Sequence, residues 1–394
     1  MQQDPVVIVA ARRTPLGGLL GDFAGLAASD LGAASIRAAV ADAGVAAADI
    51  DTVLFGCVLG AGQGQAPARQ AALKAGLSLG TVCTTLNKMC GSGMEALMLA
   101  HDQLLAGSSA VAVAGGMESM TNAPYLVAKA RAGFRMGHGE IKDHMFLDGL
   151  EDAYDKGRLM GTFAEDCAGS YQFTREAQDE YALASLARAL DADRSGKAAA
   201  EIVPVEAPSG RETVTIAHDQ QPLQARPDKI PTLKPAFRKD GTVTAANSSS
   251  ISDGAAALVL MRASQAAERG LTPLARIDGH ASYAHEPGLF TTAPVSAIRR
   301  LLDRNGWSPE SIDLYEVNEA FAVVPMVVMR ELGVAHERMN VLGGACALGH
   351  PIGASGARIV VTLINALRQS GGRRGVAAVC IGGGEATAIG IELM

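Results

Sequence analysis

The sequence predicts an α/β fold made of two similar halves around an inserted segment, and three observations support this. The chain has 394 residues, of which 48% are apolar, 4% aromatic and 45 in number glycine. Its core must therefore come from Ala, Val, Leu, Ile and Met, with many tight turns. A helix, turn and strand unit recurs at long period: Ile36, Gly44 and Ile50 match Ile298, Gly306 and Ile312, each pair 262 residues apart. Glycine-rich turns open helices at corresponding places in both halves, at Gly91-Ser92-Gly93 and at 353–356. The shared order of elements, more than any single triplet, marks a duplication.

Taken in order, a first strand is expected over 6–11, an apolar run closed by Arg12-Arg13 and lacking the length and cleavage pattern of a signal peptide. The unit around Ile36 predicts a helix, a turn at Gly44 and a strand over 52–58. Gly91-Ser92-Gly93 opens an apolar-periodic helix over 94–105, and a strand over 110–114 follows, ending in Gly115-Gly116. The second half repeats this with a strand over 314–317, a helix over 357–367 and a strand over 375–381. Between the halves, 121–245 is richer in charge and proline, with one amphipathic helix over 175–195 and a loop-like stretch over 206–240. Long loops in compact chains are commonly functional, so this segment is expected to cover a ligand. The predicted division is a first half at 1–120 completed by 246–270, the covering segment at 121–245, and a second half at 271–394.

Several classes are disfavoured. A net charge of -7 argues against a general nucleic-acid binder, which carries a basic face. No apolar stretch approaches the length of a membrane span. The six cysteines, at 57, 83, 90, 167, 346 and 380, are dispersed, with no paired spacing and no adjacent histidine pattern, so no metal is expected. Free thiols suit a reducing cytoplasm. Gly60-Ala61-Gly62-Gln63-Gly64 has its third glycine one position early for a dinucleotide fingerprint. Ser355 lacks the spacing of a hydrolase elbow.

Cys90 and Cys380 sit in glycine-rich turns of opposite halves, and His350 stands between Gly349 and Pro351. A lone cysteine is more often a small buried hydrophobe, and a lone histidine a structural hydrogen-bonder; the matching turns reverse that balance. Cys90 is expected in the first turn of its helix, where backbone N–H groups and the dipole would lower its pKa. The repeat predicts facing helix starts, which would put His350 beside Cys90 as its base. Cys380 would then be free to exchange a proton with a second substrate. Asn318 ends the strand over 314–317 and offers an amide to a water or an oxyanion, with a turn-capping role as the other reading.

With these residues assembled, the chain resembles the thiolase family, of the acetyl-CoA acetyltransferase or 3-ketoacyl-CoA thiolase type. The resemblance runs over nearly the whole length, through 87–93, 115–120, 241–249, 318–322, 343–356 and 380–384. It implies two pseudo-symmetric five-layered α-β-α-β-α halves with a loop domain over the site, assembled as a homodimer or homotetramer. It also implies roles. Cys90 would be the acylated nucleophile, His350 its activator, and Cys380 the group that deprotonates the incoming acetyl-CoA. The N–H groups of Cys90 and Gly382 would form one oxyanion hole, and His350 with a water on Asn318 the other. Leu150, Phe237, Ala245, Ser249, Ala320 and Phe321 fall at coenzyme A-contacting positions.

Three departures bear on acyl-chain specificity and coenzyme A binding. Leu159-Met160-Gly161 stands where many short-chain members have His-Met-Gly, Phe290 replaces a frequent Met beside the acyl pocket, and Pro222 takes the place of a phosphate-binding Arg. Arg226, Lys229 and Arg211 are candidate substitutes for that Arg. The expected activity is thiolysis of a 3-ketoacyl-CoA, acetoacetyl-CoA first, or condensation of two acetyl-CoA, in fatty acid metabolism. Acetyl-CoA, 3-ketoacyl-CoA and coenzyme A would be substrates, with no separate cofactor. The alternatives are a ketoacyl synthase-like condensing enzyme and a thiolase-fold acyl-CoA-binding protein with little turnover.

Overall fold

The computed structural model describes residues 4–394. Its principal strands are β1 (Val6–Arg13), β2 (Thr52–Gly56), β3 (Val82–Leu86), β4 (Val111–Ser119), β5 (Ser252–Arg262), β6 (Ala275–Ala284), β7 (Leu314–Val317), β8 (Arg374–Ile381) and β9 (Glu385–Leu393). They form one mixed sheet in the order β7-β8-β9-β6-β1-β5-β4-β2-β3. The duplication is visible in the pairing. In the first half β2 and β4 are parallel, then β4/β5 and β5/β1 antiparallel; in the second β7 and β8 are parallel, then β8/β9 and β9/β6 antiparallel. β1 and β6 join the halves through Val7↔Arg276 and Ile8↔Ala275 alone.

The helices used below are α1 (Ala28–Ala43), α2 (Ser92–Ala106), α3 (Met160–Tyr171), α4 (Arg175–Arg194), α5 (Ala293–Asn305), α6 (Val323–Leu332) and α7 (Ile352–Ser370). Strand side chains alternate between faces, and the core divides accordingly. Val6, Ile8, Leu54 and Leu258 of the first half, with Leu314, Ala377 and Ile389 of the second, pack on α2 and α7 in a shared central layer. Val7, Val53 and Val113 turn the other way, onto α1. Tyr315, Val376 and Ala388 turn onto α5 and α6. The result is α-β-α-β-α, folded about the narrow β1/β6 seam.

The small-residue composition has its use in the central layer. A Cβ on Gly93 would lie 2.8 Å from Ala357 N, and one on Gly356 would lie 2.5 Å from Met94 N. Only glycine permits so close an approach of two helices, and it draws the turns just ahead of α2 and α7 together. Gly356→Ala should therefore lower the unfolding free energy by about 1–3 kcal/mol, the usual range for overpacking. The check is a urea midpoint that falls with an unchanged slope.

Some expectations need correction. β4 runs through Gly115-Gly116 to Ser119 instead of stopping there; a Cβ on Gly116 would strike the Gly353 carbonyl, so these glycines mark a close backbone approach, not a strand end. β2 stops at Gly56, and α2 and α7 begin earlier than predicted. The stretch 206–240 is not a loop. It holds most of an antiparallel hairpin, Val205–Ser209 with Glu212–Ile216, followed by short helical turns at Gln220–Gln224 and Pro227–Thr232. The predicted helix over 175–195 is α4, capped by Thr174 Oγ1, which accepts the Ala177 N–H at 3.1 Å. The inserted segment is anchored to the first half by buried Arg13 on β1, whose Nη1 and Nη2 donate to Asp219 at 2.7 and 2.8 Å.

Candidate active site

Ahead of α2 the chain turns sharply at Met89, which adopts a left-handed φ of 48°. That conformation is strained for a residue with a side chain, and its surroundings hold it. Asn87 Oδ1 accepts the Met89 N–H at 2.9 Å, and Ser92 Oγ accepts the Lys88 N–H at 2.8 Å while donating to Met89 O at 2.6 Å. Cys90 follows at the end of this turn, before the N-cap Gly91, and so lies outside the helix. The expected drop in its pKa does not occur. Burial pushes the thiol up to about 11, against the backbone N–H groups of Gly382 and of Cys90 itself, which pull it down.

His350 occupies the equivalent turn ahead of α7, its N–H donating to Ser250 O at 3.1 Å. Its Nδ1 lies 2.6 Å from Ser355 Oγ, and that hydroxyl lies 3.0 Å from Pro351 O. With the hydroxyl hydrogen given to Pro351, the network assigns the imidazole proton to Nδ1 and leaves the Nε2 lone pair free. Asn318, the first residue after β7, is buried behind the ring with Nδ2 3.4 Å from Nδ1 and 3.5 Å from Nε2; its Oδ1 has no protein partner. Burial, aided by the charge of Arg358, lowers His350 to about 3, so the ring is neutral at pH 7.

That shift has a consequence for stability. The ordinary value is 6.5 and the native one lower, so unfolded chains take up the proton first as the pH drops. The contribution of His350 is complete above pH 6.5 and is lost as the pH falls toward 3. Between neutral and mildly acidic pH, the urea midpoint should therefore fall further for wild type than for His350→Gln.

The two turns meet Cys380, at the end of β8, across the seam. Burial, and then the neighbouring Cys90, raise the Cys380 thiol well above the ordinary range. Cys90, His350, Cys380 and Gly382 line a cavity of about 660 Å³. Its lining also includes Leu150, Leu159, Met160, Phe237, Ala245, Ser249, Phe290, Ala320 and Phe321. The structure thus gathers every site residue expected from sequence, with Asn318 one layer back. Phe321 joins the apolar part: Phe237 meets it edge-on at 5.9 Å and Phe290 tilts against it at 6.4 Å. Pro222 is buried in its own helical turn, whereas Arg211, Arg226 and Lys229 are exposed and do not line the cavity.

Three supporting residues escaped the sequence reading. Ser355, set aside there for lacking the spacing of a hydrolase elbow, orients His350. Glu118 accepts the Val58, Leu59 and Gly353 N–H groups at 3.0, 3.1 and 2.8 Å, tying the turn after β2 to the start of α7. Burial pushes its carboxyl up to about 7 against those same donors. Glu319 binds Tyr181 Oη, Ser185 Oγ and Asn340 Nδ2, each at 2.8 Å, and so fixes α4 of the inserted segment beside Asn318. The position of Ser355, five residues after His350 at a helix start, was a usable signal; nothing in the spacing marked Glu118.

Cys90 and Cys380 beside His350, with backbone N–H groups turned toward the Cys90 sulfur, suit thiol-dependent acyl transfer. Residues 6–264 match the profile described as thiolase, N-terminal domain, and residues 271–393 match thiolase, C-terminal domain. The sequence is 49% identical to an acetyl-CoA acetyltransferase of Pseudomonas aeruginosa over 98% of each chain. It is 48% identical to acetyl-CoA acetyltransferase 2 of Arabidopsis thaliana, over 99% of this chain and 97% of that one. Among solved structures, the Bacillus anthracis acetyl-CoA acetyltransferase superposes with a TM-score of 0.96 at 41% identity over 99% of both chains. An Ascaris suum thiolase in complex with coenzyme A gives 0.94 at 40% identity, over 99% of this chain and 100% of that one. The chain belongs to the thiolase family.

Proposed function

We propose that this protein exchanges acyl groups between coenzyme A thioesters by a ping-pong route, cleaving acetoacetyl-CoA with coenzyme A or, in reverse, condensing two acetyl-CoA. The observation that carries this is the meeting of Cys90, His350, Cys380 and the Gly382 N–H in one cavity. Coenzyme A is a substrate here, and the steps below use no other cofactor.

In the first half-reaction the Cys90 sulfur attacks the thioester carbonyl while His350 Nε2 takes the thiol proton. With Cys90 raised and His350 lowered, the resting pair is S–H and neutral imidazole, so the proton moves with the attack. The N–H groups of Cys90 and Gly382, already directed at the sulfur, receive the developing oxyanion. The bond to the coenzyme A sulfur breaks, the proton passes from His350 to that sulfur, and an acyl-Cys90 remains. In the second half-reaction the Cys380 thiol passes its proton to His350 and the thiolate so formed removes a proton from C2 of acetyl-CoA; the carbanion then displaces Cys90 from the acyl carbon, and the departing Cys90 sulfur takes the proton back from His350. His350, with a water on the amide of Asn318, stabilises the enolate oxygen. Thiolysis runs the same steps backward.

Leu159, Met160 and Phe290 bound the acyl end of the cavity in this reading, with Leu150, Phe237, Ala245, Ser249, Ala320 and Phe321 along the coenzyme A arm. The test is thiolysis of 3-ketoacyl-CoA substrates from four carbons upward. We expect the highest kcat/KM with acetoacetyl-CoA, and in Phe290→Ala a shift toward longer chains of about tenfold to a hundredfold, the range that methylene-sized pocket changes produce. Coenzyme A binding without cleavage would favour a binding protein, and dependence on a carrier protein would favour a ketoacyl synthase.

A homodimer or homotetramer fits the surface. β3 ends the sheet with Val82 65% exposed, an unpaired edge that a second copy can extend. The hairpin of Tyr125–Leu126 and Lys142–Asp143 carries exposed Tyr125, Phe134, Met136 and Ile141, an apolar surface suited to further association. All six cysteines are free, which favours a cytoplasmic setting.

A further inference from the structure

We propose that His101, Asp102 and His280 form a binding site for a divalent transition-metal ion, such as Zn²⁺, clipping the first half of the fold to the second. His101 and Asp102 lie on α2, whereas His280 lies on β6, so the cluster spans the seam on which the whole architecture turns. Their ligand atoms all fall within 4.8 Å of one another. His101 Nδ1 lies 3.1 Å and His280 Nε2 3.0 Å from the same oxygen, Asp102 Oδ1. Imidazole nitrogen and carboxylate oxygen each sit about 2.0–2.2 Å from Zn²⁺, which puts neighbouring ligands about 3–3.4 Å apart, so both measured separations suit a shared ion.

The donor set suits a borderline cation, with two imidazoles and one carboxylate leaving a coordination position for water. His101 is buried and His280 partly buried, with the rings edge-on at 5.1 Å, while Asp102 faces solvent and keeps an entry path open. Arg304 Nη1 donates to His280 O at 2.9 Å and steadies that strand residue. Arg262, the cation whose charge reaches His101, is paired with Asp4 at 3.2 Å. None of the three ligands lines the catalytic cavity. The sequence expectation of no metal rested on cysteine spacing and on the lack of histidines near those cysteines, neither of which reports on this cluster. The ligands come from residues 101, 102 and 280, which only folding brings together.

An ion held by both halves stabilises the native chain by mass action, because unfolding separates its ligands. The experiment strips the full-length protein with a chelator and titrates it with Co²⁺ and Zn²⁺. Wild type should bind one ion at this site, show a Co²⁺ ligand-field spectrum without thiolate charge-transfer bands, and gain Tm with Zn²⁺. Asp102→Asn and His280→Ala should each weaken binding by at least about tenfold, while circular dichroism confirms that they fold. His280→Gln can still hydrogen-bond to Asp102 but is a poor ligand, so it should lose the Zn²⁺-dependent gain in Tm. The proposal is overturned if wild type binds no ion, if the spectrum reports cysteine ligation, or if the variants bind as tightly as wild type.

Discussion

Cys90→Ala should retain no acyl group from acetyl-CoA and should lose thiolysis of acetoacetyl-CoA by on the order of 10⁴-fold or more, as when other covalent nucleophiles are deleted. The reason is geometric. The Gly382 N–H is directed at the Cys90 sulfur, and no other nucleophile in the cavity shares that placement. Cys380 does not substitute, because burial holds its thiol far above the ordinary range at the end of β8. In the variant His350 has no Cys90 thiol to deprotonate. Intact-mass analysis after incubation with acetyl-CoA, together with steady-state thiolysis, checks both parts.

Cys380→Ala should separate the two half-reactions. In the proposed route acyl transfer to Cys90 uses His350 and the N–H pair, all of which this substitution leaves in place. Proton removal from C2 of the second substrate has no replacement base, since His350 Nε2 already serves the thioester oxygen. Condensation should therefore fall by about 10²–10⁴-fold, the range of a lost general acid or base, while acetyl-Cys90 accumulates. Trapping by mass spectrometry and the initial rate of acetoacetyl-CoA formation report the two halves separately.

The sequence carried the parts of this architecture that depend on period and order. A constant offset between Ile36 and Ile298, Gly44 and Gly306, and Ile50 and Ile312 foretold the equivalent strands β2 and β7, and matching glycine turns foretold the facing helices α2 and α7. It foretold, too, that one thiol comes from each half. What it could not carry was the environment. The rise of the Cys90 pKa comes from burial beneath residues distant in sequence, which outweighs the N–H donors that a helix start suggests. Gly115 and Gly116 looked like strand breakers because their reason for being glycine is another backbone, Ala256 of β5 for the first and the start of α7 for the second. The hairpin after Val205 did carry a signal, Ser209-Gly210 between alternating residues, with Gly210 at a φ of 64°. Its high polarity made it read as a loop. The contacts of Glu118, Glu319 and the His101 cluster join segments that no local pattern relates.

The proposed route gives the two thiols distinct, sequential roles. Intact-mass measurement of wild type, Cys90→Ala and Cys380→Ala after incubation with acetyl-CoA tests it most directly. One acetyl adduct, mapped to Cys90, is expected on wild type and Cys380→Ala, and none on Cys90→Ala. An adduct that persists in Cys90→Ala and disappears in Cys380→Ala would contradict it.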